Sequence, residues 1–159
     1  MGVIIPVNIP PTVRRKIFTI TVHHTAGNET SVEQIRRMHK ARGWRDIAYH
    51  FVVFPDGRVE QGRNPEWKGA GVWGNHDDML EIVLIGNFVN KEVPMVQWYS
   101  ATTYVAKLCL QKGIPYWKVY GHKEVTKPGH GTLCPGFDPK QFRIGVAKRL
   151  KEMEEDDKR

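Results

Sequence analysis

Short β-branched runs alternate with spans of helical period along this chain, and that alternation limits the fold more than any other feature. "KIFTITVHH" (16–24) alternates apolar and polar residues and reads as a strand ending on two histidines. "GNETSVEQIRRMHKARG" (27–43) puts Val32, Ile35 and Met38 on one stripe, gives Thr30 and Glu33 capping-box spacing, and ends at a glycine, so it predicts a helix. "IAYHFVVF" (47–54) predicts a second strand, "PDG" (55–57) a turn and "RVEQG" (58–62) its hairpin partner. Residues 63–79 mix Gly, Asn, Asp and Trp without a period and read as a long functional loop. "LEIVLIGNF" (80–88) predicts a buried strand, and "PMVQWYSATTYVAKLCLQKG" (94–113) a helix with Trp98, Thr102, Val105, Leu108 and Cys109 near one face. "WKVYGH" (117–122) is a short strand that delivers His122 at its end. Asp138 and Pro139 then read as N-cap and first position of a helix running to about residue 150. Strand and helix alternating in this way predict an α/β domain over 17–150, a central sheet flanked by helices. An irregular arm (1–16) precedes it, and a charged, solvated or frayed tail (151–159) follows.

Bulk properties exclude several classes. The chain has 159 residues, enough for one domain with a sizeable core. No apolar run approaches the ~20 residues that span a bilayer. The N-terminal stretch lacks a basic region ahead of its apolar residues and is interrupted by Pro6, Pro10 and Pro11, so it does not read as a secretory signal. The expectation is synthesis and folding in the cytoplasm. A net charge of +7 suits contact with a polyanion, either nucleic acid or an anionic cell envelope. The basic clusters at Arg14, Arg15 and Lys16 and at Arg36, Arg37, Lys40 and Arg42 carry no interleaved aromatics, and no groove-reading element is visible, so a specific nucleic-acid partner is not expected.

Chemistry concentrates in "GHKEVTKPGHGTLCPGFD" (121–138). Catalytic zinc takes three protein ligands and keeps a fourth position for water. His23 or His24, His122, and Cys134 would supply three, with His130 a rival for the third. Side chains alternate along a strand, so His23 and His24 cannot both face one metal. The second cysteine, Cys109, falls in a helical core pattern and reads as a buried small hydrophobe. A disulfide between the two cysteines stays open from sequence.

Four ordered blocks, "VHHTAG" (22–27), "GWRDIAYHFVVFPDGRVEQGR" (43–63), "IGNF" (85–88) and "GHKEV…LCPGFDP" (121–139), resemble the zinc-dependent N-acetylmuramoyl-L-alanine amidases. That family includes phage lysozyme-type enzymes and shares its fold with animal peptidoglycan recognition proteins. The resemblance covers roughly residues 17–150 and implies a single amidase-like domain with a mixed sheet. It implies one Zn²⁺ held by His23, His122 and Cys134, with Tyr49 catalytic. His24 becomes a neighbour of the metal or a packing residue, grouped with Trp73 and His76 beside the substrate, and His130 a solvent-facing loop residue. Where phage members carry a lysine two residues before the cysteine, this chain has Thr132, which implies a hydrogen-bonding role at a catalytic position; Lys127 lies nearby in sequence. Many members place a histidine after "GA", where this chain has Gly71, and a glycine where it has Glu81, read as a bulge or a paired edge position. Trp44, Trp98, Phe51 and Phe54 read as core. The implied activity is hydrolysis of the bond between N-acetylmuramic acid and L-alanine by a monomeric, endolysin-like enzyme reaching bacterial peptidoglycan after release. A non-catalytic recognition module and a cytoplasmic muropeptide-recycling amidase are the alternatives.

Overall fold

The structure is a computed structural model that describes residues 9–74 and 77–158; the expectation for His76 lies outside the described residues. Five strands form one mixed sheet: β1 (Thr19–His24), β2 (Phe51–Val53), β3 (Val59–Gln61), β4 (Met79–Leu84) and β5 (Val119–Gly121), in the order β3-β2-β4-β1-β5. Only the β2–β3 hairpin is antiparallel; β2, β4, β1 and β5 run parallel, so their carboxyl ends share one edge. Helix α1 (Val32–Ala41) covers one face, where Val32 and Ile35 meet Val52, Val83 and Ile85. Helices α2 (Met95–Lys112) and α3 (Pro139–Asp157) cover the other, where Val105, Leu108, Phe142 and Val146 meet Ile20, Val22, Leu80 and Ile82. This two-faced burial explains why β4 is apolar on both sides instead of alternating. Buried Gln97 pins α2 to the sheet by donating to the carbonyls of Val53 and Ile85 at the strand ends.

Several local boundaries differ from the sequence expectation, each for a visible reason. The N-cap of α1 is Ser31, whose hydroxyl accepts from Gln34 N; Thr30 instead bonds the Gln34 side chain. Its buried stripe is Val32, Ile35 and His39, and Met38 lies at the surface. The second strand begins at Phe51, not at 47. Residues 47–50 are bonded irregularly: Ala48 N donates to the His39 ring, Arg63 donates to Ile47 O and Tyr49 O, and His50 N donates to Glu81 O. Glu81 is no edge residue, because β4 lies between β2 and β1 in an unbroken register in which Glu81 faces Thr21. Helix α3 continues to Asp157 because Leu150 and Met153 still pack on the core. At the other end, Val13 and Ile17 join that core, and Lys112 Nζ bonds the carbonyls of Val13 and Arg15. Asp138 and Pro139 do start α3, with Asp138 accepting from Lys140 N. Both cysteines are free thiols, and Cys109 is buried in the core, where burial pushes its pKa up to about 12.

Candidate active site

Strand alternation separates the paired histidines. His23 shares the α1 face with Thr21 and Glu81, while His24 lies on the α2/α3 face against Phe88. His23 is nearly inaccessible, at 1% exposure. Next to β1 in the sheet, β5 ends at Gly121 and the chain turns at once into a 3-10 turn, His122–Glu124. Glu124 fixes that turn by accepting from Gly121 N at 2.9 Å and from both Arg143 nitrogens, at 2.7 and 3.0 Å, so α3 braces His122. The Cys134 loop closes onto the same place. Lys123 N donates to Cys134 O, His24 N donates to Cys134 Sγ, and the Cys134–Pro135 peptide is cis.

The outcome is a three-residue cluster. One ligand atom from each of His23, His122 and Cys134 lies within 4.8 Å of the others, the candidate metal site among the described residues. Cys134 Sγ sits 3.6 Å from His23 Nδ1, and the rings of His23 and His122 meet edge to face at 4.8 Å. Two imidazoles and a thiol are the borderline-to-soft donors that zinc prefers, and three of them leave room for a fourth, non-protein ligand. The residues present therefore fit a zinc ion. His130, the rival third ligand, is not in the cluster; its ring stacks flat on Trp73 at 4.1 Å and 8°.

The other ring nitrogen of His23 faces inward, where Nε2 meets Glu81 Oε1 at 3.1 Å. Burial opposes charge on His23, but its bonds to Cys134 and Glu81 outweigh it and carry the pKa up to about 9. For Glu81, burial raises the pKa, but the His23 bond and charge, with His50 and the Gly71 N–H, outweigh it, so the net shift is downward and the carboxylate stays ionised. His50 completes the layer. Its Nδ1 accepts from Glu81 N and its Nε2 donates to Trp67 O, and burial depresses its pKa to about 4, so it is a neutral, fixed tautomer.

Tyr49 packs its ring between His23, at 4.9 Å, and His39, at 5.5 Å. Burial, then the charges of Cys134 and Glu81, raise its pKa well above the ordinary phenol value, so the hydroxyl is a donor at every working pH. Thr132 accepts from Cys134 N at 3.1 Å and so holds the ligand loop, with its hydroxyl proton still available. A groove of about 560 Å³ opens beside the cluster, lined by His122, Trp44, the 68–74 loop, Thr126 and His130.

The family comparison agrees with this geometry: the model described as N-acetylmuramoyl-L-alanine amidase matches residues 13–137. The chain belongs to that amidase family. Among its relatives, the endolysin of Escherichia phage T7 is 33% identical over 138 residues, covering 81% of this chain and 87% of that protein. The endolysin of Klebsiella phage KP32 is 30% identical over 137 residues, covering 82% and 88%. The solved N-acetylmuramoyl-L-alanine amidase LysC from Clostridium intestinale superposes with a TM-score of 0.75 at 28% identity, covering 83% of this chain and 86% of that one.

Within this amidase, one position beside the cluster, Trp44, reads differently from sequence. His24 is 7% exposed and its Nδ1 accepts from Phe88 N, so it supports the 86–88 turn on the sheet face opposite His23. Trp44 is no core residue: it is 37% exposed, meets the His39 ring and lines the groove. Trp73, at 64% exposure, lines the groove, with the Lys127 ammonium 5.6 Å from its ring. Sequence reasoning missed the Glu81–His50 layer and the Trp73–His130 stack. A buried acidic residue inside an apolar strand was the one signal available for the first.

Proposed function

We propose that this amidase works on peptidoglycan with one Zn²⁺ held by His23, His122 and Cys134, and that it is a phage-type endolysin. The chain is an N-acetylmuramoyl-L-alanine amidase, and the bond cut is the amide between N-acetylmuramic acid and L-alanine. The observation that carries the metal reading is the three-donor cluster at the carboxyl edge of the sheet, open to a groove on one side. Bound there, the ion supplies Lewis acidity toward the scissile carbonyl and a water acidic enough to attack near neutral pH.

The protein's own residues do the rest. Trp44 and the Trp73–His130 stack offer apolar faces along the groove for sugar and peptide, and the 68–74 loop offers backbone groups between them. Tyr49, protonated and held by two histidine rings, donates to the oxygen that becomes negative as the carbonyl is attacked. Thr132 keeps Cys134 in place by accepting from its N–H. The net charge of +7 favours contact with anionic wall polymers, an attraction that weakens as salt rises. No helix among the described residues is long and apolar enough to cross a membrane, and we place the action at the wall after release from the cell interior, as a monomer.

Purified peptidoglycan treated with the protein tests this reading through product masses. Release of peptides with a free L-alanine amino terminus, leaving the glycan chains intact, is expected. Cleavage within the glycan, or binding without any release, overturns it.

A further inference from the structure

We propose that Glu81 is a positioning residue of the metal centre: it fixes the His23 ring with Nδ1 turned toward Cys134, in a space that exists only because Gly69 and Gly71 lack side chains. The inference rests on the zinc reading above and adds a residue that the three-ligand set does not contain.

A carboxylate is out of place on the central strand of a sheet covered on both faces. Glu81 is 3% exposed and sits between Leu80 and Ile82, which are fully buried. A buried charge persists only when its oxygens are bonded, and both are. Oε1 accepts from His23 Nε2 at 3.1 Å, and Oε2 accepts from Gly71 N at 3.2 Å. The backbone around Glu81 is held as tightly, since Glu81 N donates to His50 Nδ1 at 2.9 Å while His50 N donates to Glu81 O at 2.9 Å. His50 in turn is tied to Trp67 O at 2.7 Å. The carboxylate therefore has little freedom to rotate, and it faces the one nitrogen of His23 that the cluster does not use.

The consequence for His23 follows from imidazole chemistry. A ring that gives up one proton on binding a metal, and keeps Nε2–H on a fixed carboxylate, must present its lone pair at Nδ1. Nδ1 is the nitrogen 3.6 Å from Cys134 Sγ. Glu81 thus selects both the tautomer and the orientation of the ligand, and its charge makes the ring a stronger donor.

The loop above is shaped around this carboxylate. A Cβ at Gly69 would overlap Glu81 Oε2. A Cβ at Gly71 would overlap Glu81 Oε1 and crowd His23 Nε2 at 3.0 Å. Neither glycine has a positive φ, so it is space and not backbone conformation that requires them. The same carboxylate that holds the ligand also holds the floor of the groove, through Gly71 N.

Zinc affinity of the full chain, measured by competition with a chromogenic chelator, tests this together with the absorption spectrum of the Co²⁺-loaded protein. Glu81→Gln keeps the shape and one neutral acceptor; Glu81→Ala removes both. The expected order of affinity is wild type, then Gln, then Ala. The loss should be about 10-fold for Gln and up to about 100-fold for Ala, the range typical of such outer partners. The visible Co²⁺ bands should shift in both variants. Should Glu81→Ala fail to fold, Glu81→Gln decides alone. Affinity and spectrum of Glu81→Gln within twofold of wild type would overturn this inference and leave the zinc reading intact. A wild-type chain that takes up no zinc overturns both.

Discussion

Tyr49→Phe removes one oxygen from the site and leaves its shape. The ring keeps its packing on His23 at 4.9 Å and on His39 at 5.5 Å, so folding and the ligand geometry should be preserved. What is lost is a hydrogen-bond donor in a water-poor corner, whose pKa burial and the neighbouring charges hold far above the ordinary phenol. Removing one such donor from an oxyanion typically costs about 3–4 kcal/mol, or roughly 10²–10³ in rate. The variant should therefore lose about two to three orders of magnitude in kcat on a soluble muramyl peptide, with KM and zinc content near wild type. Its melting temperature should lie within ~2 °C of the parent. Because the phenol stays protonated throughout, the wild-type pH profile should show no limb from it below pH 10. The reasoning fails if Tyr49→Phe keeps kcat within threefold of wild type, or if its activity loss tracks loss of zinc.

Other consequences follow from the same contacts. Phe142 is fully buried and packs on Trp98 and Phe137, so Phe142→Ala should cost about 3–5 kcal/mol, read by urea denaturation; a loss under 1 kcal/mol would refute the packing account. Burial holds both His50 and His39 at about 4, below the ordinary 6.5, so the unfolded chain takes up protons first as the pH falls. Stability should be intact above pH 6.5 and decline between 6.5 and 4, by about 3 kcal/mol for His50; melting curves across that window should flatten in His50→Gln, and an unchanged slope would contradict the assignment. Gly71→Ala should destabilise the chain by about 1–3 kcal/mol through overlap with Glu81, and the Glu81→Ala background should relieve most of it in thermal melts.

Much of the site could be read from sequence because its parts are marked by local pattern. "TITVHH" is a strand whose period decides that His23 and His24 diverge, and the structure places them on opposite faces. His122 follows β5 directly, and Asp138 with Pro139 start α3 by ordinary capping chemistry. The residues that were missed act through long-range pairing, which leaves no period. Glu81 meets His23 across 58 residues of sequence, and Arg143 braces the His122 turn from α3. Trp44 is a large apolar residue of the kind that usually fills a core, but its edge contact with the His39 ring leaves it partly exposed, and it lines the groove. The two departures at Gly71 and Glu81, separate puzzles along the chain, occupy one volume in the fold: the loop lacks a Cβ where the strand carries a carboxylate.

Metal content measured beside peptide release, on wild type and on Cys134→Ala, tests the central claim most directly. Sγ of Cys134 is the one thiol in the cluster and 3.6 Å from His23 Nδ1. Wild type should carry one zinc per chain and release peptide, lose activity on exhaustive chelation and regain it with added Zn²⁺, while Cys134→Ala, still folded, should do neither. Full peptide release by thoroughly metal-stripped wild type would contradict the account.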